Sequence, residues 1–142
     1  MSEEVRQSLL VDTNIFLRFI TGDDPAKAVA CKDLFERAAR KEIDLYTNEM
    51  VLAELAWTLR SFYRRPREEI AGILRDIIGL GGLRVPRKAM LLEALDLYER
   101  FNVDYLDAYN AADLRARGLG AVCSYDSHFD RLGVARVAPG EG

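Results

Sequence analysis

The chain has 142 residues and a mass of 16.0 kDa, enough for one domain with a proper core, and its 49% hydrophobic and 30% charged residues are ordinary for a soluble globular protein. The start, MSEEVRQ, is polar and acidic rather than a secretory leader, no apolar run nears the roughly 18 residues of a membrane span, and a net charge of −3 argues against general coating of nucleic acid. A single histidine, His128, excludes a polyhistidine zinc site and a two-histidine acid–base pair, which leaves chemistry to the carboxylates, 23 against 20 Lys plus Arg.

Residues 8–11, SLLV, predict a short buried strand, and a helix begins just after Asp12. The carboxylate that closes this apolar run is costly to desolvate unless a backbone amide or a cation meets it. Asp24-Pro25 is a cap followed by a first-turn proline, and Cys31, Leu34, Phe35 and Ala38 follow at helical spacing. Residues 43–46 predict a second strand, after which Thr47 or Asn48 caps a helix running to about Tyr63. RRPR makes a break, and residues 68–78 form the next helix, with Ile70, Ile73, Leu74 and Ile77 on one face. Beyond GLGG, residues 83–85 predict a strand, and Pro86 opens a helix to about Phe101. A last long helix covers about 104–117, stopped by Gly118, and residues 121–124 and 134–137 are the closing strands.

Short apolar strands alternating with amphipathic helices predict an α/β fold, a three-layer α/β/α sandwich around a parallel sheet, in a single domain over 1–142. Ligands in such sheets gather at the carboxyl ends of the strands, where Asp12 and Asp126 stand. Cys31 and Cys123 lie far apart in apolar patterns without metal-ligand spacing. Both read as buried free thiols of a cytoplasmic protein.

Each acid has a structural reading beside a functional one. Asp12 is a good helix cap, although Thr13 can do the same. Glu54 lies in MVLAELAWTL, apolar around most of the helix, and shares its face with Met50, Val51, Thr58 and Ser61. A carboxylate there needs a partner or a raised pKa. Asp104 and Asp107, three apart, project from one face together with Ala108 and Ala111, small residues that leave room for a ligand. Asp104 alternatively caps the helix and Asp107 alternatively serves its dipole. Asp113 falls on the opposite side, near Arg115 and Arg117, as a solvated surface acid. Asp126 follows the strand by two residues. It is either an Asx turn or a ligand, with the hydroxyl of Ser124 beside it. Asp130 pairs with Arg131 or solvent, and His128 reads as a partly exposed loop histidine. Together the acids point to Mg2+ or Mn2+, which favour carboxylate oxygens at about 2.0–2.1 Å with waters and substrate phosphate completing the octahedron. Such an ion, or a pair about 3.5–4 Å apart, activates water and steadies phosphoryl charge. The predicted chemistry is metal-dependent phosphoester hydrolysis.

The segments LLVDTNIFLRF, VLAELAWTL, DYLDAYNAADLRARG and AVCSYDSHFDRLGV, in this order, resemble the PIN-domain family and within it the small prokaryotic VapC-type toxins. The resemblance implies a parallel sheet of about five strands between helices and a Mg2+- or Mn2+-dependent, single-strand-specific ribonuclease. It implies an acidic pocket of Asp12, Glu54, Asp107 and Asp126, with Asp104 as an auxiliary ligand. Asp12, Asp107 and Asp126 would hold the principal metal, and Glu54 a second ion or the attacking water. Thr13, Asn14 and Ser124 match positions that orient the carboxylates or a metal-bound water, and Ser124 stands where many relatives have Thr. The resemblance also implies a homodimer and a cognate antitoxin that lays a peptide, often with an arginine, across the pocket. Trp57, Phe62 and Tyr63 suit such a groove or an ordinary core, and Trp57 is expected in the core. Arg64, Arg65 and Arg67 with Arg60, or Arg84, Arg87 and Lys88, are candidates to guide RNA phosphates, although solvated helix ends explain them equally simply.

Rival readings fit less well. A haloacid-dehalogenase-like phosphohydrolase needs Asp-x-Asp where this chain has Asn14. A receiver domain needs an acidic pair before its first aspartate, which SLLVDTN lacks, and a lysine late in the chain, where the last strands hold none. A non-catalytic PIN-fold module for RNA binding or protein interaction has no reason to keep all four acids.

Overall fold

In the computed structural model, residues 6–140 are described. The polar start read above as no leader falls largely on residues 1–5, outside them. The elements are β1 (Ser8–Leu10), α1 (Thr13–Thr21), α2 (Pro25–Ala39), β2 (Asp44–Tyr46), α3 (Glu49–Ser61), α4 (Arg67–Ile78), β3 (Leu83–Arg84), α5 (Lys88–Arg100), α6 (Tyr105–Arg117), β4 (Val122–Cys123), α7 (His128–Arg131) and β5 (Arg136–Val137). All but the short α7 correspond to a predicted element. Local chemistry sets the boundaries. Asp24 accepts from the Lys27 amide ahead of Pro25, and Asn48, rather than Thr47, accepts from the Val51 amide. Gly118 ends α6 in the left-handed conformation, φ 69°.

Every strand pairing is parallel, as the α/β pattern requires, and the five strands among the described residues hydrogen-bond in two groups. β1, β2 and β3 form one sheet in that order, with Leu9 opposite Leu45 and Leu45 opposite Leu83, while β4 and β5 pair with each other. β1 is an edge strand of its sheet. Leu10 is 63% exposed, its partner Tyr46 on the central strand is partly exposed too, and the buried strand expected over 8–11 buries only Val11 fully. Where β3 approaches α2, a Cβ on Gly82 (φ +85°) would lie 2.2 Å from the Ala38 carbonyl oxygen. Only glycine fits there.

Buried residues make one contiguous core that includes Phe16, Leu45, Leu52, Leu55, Leu59, Ile70, Leu74, Leu91 and Leu95. α5 and α6 pack against each other more extensively than any other pair of elements. Ala108 and Ala111 are buried in the core. These alanines were expected to leave room for a ligand; they instead pack into the core. Trp57, expected in the core, is 67% exposed, because Leu52, Leu55, Ala56 and Leu59 take the buried stripe of α3 and turn Met50 and Trp57 outward. Cys31 is buried, but Cys123 is exposed on β4, so only one of the two thiols fits the buried reading. Asp113 is no solvated acid: Arg87 and Arg117 both pair with its Oδ1, at 2.6 and 2.9 Å, while Arg115 reaches Glu93. Asp130 pairs with Arg136 rather than Arg131. No described helix is long and apolar enough to cross a membrane.

Candidate functional site

Asp107 sits in the first turn of α6 and Asp126 in the loop after β4, and the fold brings them together. One oxygen of each and the Nδ1 of His128 all lie within 4.8 Å of one another, the spacing of ligands around one ion. The local folding that achieves this is short-range. Ser124 Oγ accepts the Asp126 amide at 2.9 Å, and Asp126 Oδ1 accepts the His128 amide at 2.9 Å, the Asx turn that the sequence suggested. This turn starts α7, which Phe129 and Leu132 anchor in the core and Arg115 ties to α6 through the Leu132 carbonyl. His128 thus leans over both acids, its Nδ1 3.1 Å from Asp126 Oδ1 and 3.5 Å from Asp107 Oδ2. Burial raises the pKa of the Asp107 carboxyl, and the negative charges of Asp126 and Asp104 add to the rise, with His128 opposing. An acid made uncomfortable by its neighbours gains most from a cation.

The remaining acids line a cavity of about 800 Å³ that Asp107 shares with Asp12, Glu54 and Asp104. Asp12 caps α1, its Oδ1 taking the Thr13 amide at 2.7 Å, so the bland reading of this residue is realised through one oxygen. Among the described residues its second oxygen has no hydrogen bond. Thr13 is 2% exposed, and its Oγ1 is buried without a hydrogen-bond partner on the same cavity wall. An orphaned hydroxyl of this kind wants a water or a ligand. Glu54 shares the wall with Met50, Val51 and Ser61, three of the four neighbours its helix phase predicted. Asp104 occupies the cap position of α6 without a side-chain hydrogen bond to the helix. Asp12, Glu54 and Asp104 are not part of the tight group around His128. Asn14 is exposed and does not line the cavity.

The basic candidates divide. Arg67 is a structural clamp: it donates to the carbonyls of Tyr98 and Val103 and to Asn102 Oδ1, and its guanidinium lies 4.8 Å from the Tyr98 ring centre. Arg65 pairs with Glu69 at 2.5 Å. Arg64 is exposed, with a left-handed backbone at φ 55°. Arg60 and Arg67 also reach the cavity wall, as do the exposed Met50, Trp57 and Leu106. Tyr63 reaches toward Asp23 from its hydroxyl at 3.5 Å, and Phe62 is 74% exposed. The cavity wall therefore combines four carboxylates with exposed apolar side chains. The residue that the sequence reading passed over is His128. Its signal was present in the Asp126–Ser127–His128 spacing, since an Asx turn folds the third residue back over the first.

The family model described as PIN domain matches residues 9–135, a span that holds every acid of this site and His128. A VapC ribonuclease of Aquifex aeolicus (strain VF5) is 29% identical over 132 residues, covering 93% of this chain and 97% of that one. Among solved structures, the Mycobacterium tuberculosis toxin VapC20, described as sarcin-ricin loop cleaving, is 23% identical and covers 92% of this chain and 98% of its own, with a TM-score of 0.39.

Proposed function

The chain belongs to the PIN-domain family, and from that premise we propose that it is a divalent-cation-dependent endoribonuclease, the toxin of a toxin–antitoxin pair. The observation that carries the reading is the meeting of Asp107 with Asp126, where Asp107 also lines a cavity whose other acids, Asp12, Glu54 and Asp104, come from different elements of the chain. Chain folding gathers like charges only against a cost, and a cation offsets it. The oxygen-rich donor set fits Mg2+ or Mn2+.

Asp107 and Asp126 are the residues that would hold the cation. When bound, the ion supplies a Lewis acid that lowers the pKa of water and steadies charge on a phosphoryl oxygen. Asp12 and Glu54, on the adjoining wall, orient the attacking water or carry a second ion, and Asp104 is the auxiliary acid. Thr13 Oγ1 gives that water a hydrogen-bond partner, and Ser124 fixes the loop that bears Asp126. Arg60 offers positive charge to the RNA backbone, and the exposed indole of Trp57 offers a stacking face for an unpaired base. Two divalent cations outweigh the net charge of −3, so acidity of the whole chain is no bar to local RNA binding. The same mixture of exposed apolar side chains and acids suits an antitoxin peptide carrying an arginine. Antitoxin control, homodimer assembly and a cytoplasmic setting belong to the same reading.

Labelled single-stranded RNA tests it. Cleavage in Mn2+ or Mg2+ that stops with a chelator, and stops in Asp126→Asn while circular dichroism is unchanged, is the expected result. Chelator-resistant cleavage that survives both Asp107→Asn and Asp126→Asn would overturn the assignment.

A further inference from the structure

We infer that His128 is a nitrogen ligand of the same cation as Asp107 and Asp126, and that this mixed nitrogen–oxygen set tilts the site toward Mn2+ and away from Mg2+. The inference rests on the cation-dependent reading above and goes beyond its carboxylates. Its first support is convergence, since His128 Nδ1 belongs with the two carboxylate oxygens in the group within 4.8 Å. The second is that Nδ1 is shielded from solvent and makes no well-directed hydrogen bond, its neighbours being the two carboxylates it approaches as ion pairs, Asp126 Oδ1 at 3.1 Å and Asp107 Oδ2 at 3.5 Å. Those contacts lack the direction of a hydrogen bond, and Asp126 Oδ1 already accepts the backbone amide of His128 itself. In the neutral imidazole whose proton is on Nε2, Nδ1 is an acceptor. Three acceptors then face one another, and a cation between them satisfies all three. The ring as a whole is 45% exposed, so its other nitrogen reaches water for its proton.

The placement of His128 is built in. The Asx turn at Asp126 sets its backbone, the buried Phe129 fixes the next residue, and Arg115 holds the end of α7 to the helix that carries Asp107. A histidine held in this way loses little freedom on binding metal. Ligand softness sets the preference that follows. Mg2+ demands hard oxygen donors and keeps its waters, whereas first-row transition cations accept imidazole. Removing the imidazole should therefore penalise Mn2+ and leave Mg2+ nearly untouched.

The test uses the full chain and metal alone. Mn2+ and Mg2+ are titrated calorimetrically into wild type, His128→Ala, His128→Gln and Asp126→Asn, with thermal unfolding as the folding control. Pulsed electron paramagnetic resonance then reads nitrogen coupling on the bound Mn2+. Expected are a nitrogen signal in wild type that disappears in both His128 variants, a loss of Mn2+ affinity of about tenfold or more, and a Mg2+ affinity changed by no more than about twofold. Mn2+ binding that Asp126→Asn abolishes, but that shows no nitrogen coupling and is unchanged in the His128 variants, overturns the role of His128 and leaves the cation-dependent reading standing. Absence of Mn2+ binding in folded wild type overturns both.

Discussion

The two sides of the acidic site are built by different means. On the α6–α7 side, Asp107, Asp126 and His128 converge within 4.8 Å, held by an Asx turn and a helix start that lie close together. On the β1–α3 side, Asp12 and Glu54 stand on the cavity wall outside that group, and Asp12 already serves as the cap of α1. On the proposed function, the difference separates holding an ion from shaping the reaction around it. A cation needs donors that meet before it arrives, because each ligand that must be dragged in costs affinity. An acid that positions water or substrate needs only to face the same space. Capping does not disqualify Asp12 from that role, since it occupies one carboxylate oxygen and leaves the other.

The largest effects should separate these sides. Asp107→Asn and Asp126→Asn are expected to abolish both Mn2+ binding, read by calorimetry, and RNA cleavage. Asp12→Asn and Glu54→Gln should lose cleavage while keeping most of the affinity for the first cation. Equal loss of affinity in all four variants would erase the distinction.

Exposure of the cavity rim gives the next effect. Trp57→Ser should change stability to unfolding by no more than about 0.5 kcal/mol, whereas Leu55→Ala, on the buried face of the same helix, should cost about 2–5 kcal/mol. A core-sized loss at Trp57 would show that the phase of α3 is wrong. RNA binding by Trp57→Ser should weaken all the same, if the indole stacks on a base.

A subtler sharpening comes from pH. The raised pKa of Asp107 means that its carboxyl keeps its proton to higher pH in the folded than in the unfolded chain. This group therefore favours the metal-free fold at low pH, and the contribution fades as pH rises through its folded-state value. Metal-free Asp107→Asn should accordingly unfold at a higher temperature than wild type near neutral pH, although it binds no metal. An equal or lower temperature would contradict the crowding of charge described here.

An effect confined to stability is expected at Asp113, which does not line the cavity. The Arg87 guanidinium, with Arg117, holds the Asp113 carboxyl below its ordinary range, so its stabilisation is present at neutral pH and lost as pH falls through the lowered value. Asp113→Asn should cost at most about 1 kcal/mol, less in high salt, and leave cleavage unchanged. Impaired cleavage would place Asp113 in the site.

Much of this arrangement was legible in the residues themselves. The caps at Asp24, Asn48 and Gly118 and the apolar stripes of α3 and α4 gave the elements to within a few residues, because local hydrogen bonding and periodicity act over one or two turns. Asp107 and Asp126 were candidates by position, each with a structural reading beside the functional one, and three of the four neighbours of Glu54 followed from helix phase. Three features were hidden for physical reasons. An all-round apolar helix does not declare which side is buried, so Trp57 was misplaced. Alanines beside acids read equally as ligand space or as core packing, and only the tertiary neighbours of α6 decide. The meeting of His128 with Asp107 depends on α7, a single turn too short for periodicity to reveal. The split of five strands into two hydrogen-bonded groups is likewise a matter of tertiary register, which short strands of two or three residues leave unspecified.

The central claim is tested most directly by titrating Mn2+ into wild type, Asp126→Asn and Asp12→Asn and assaying each on the same labelled single-stranded RNA. The account predicts binding and cleavage in wild type, neither in Asp126→Asn, and binding without cleavage in Asp12→Asn. Cleavage undiminished in Asp126→Asn, or Mn2+ bound equally by wild type and Asp126→Asn, would contradict it.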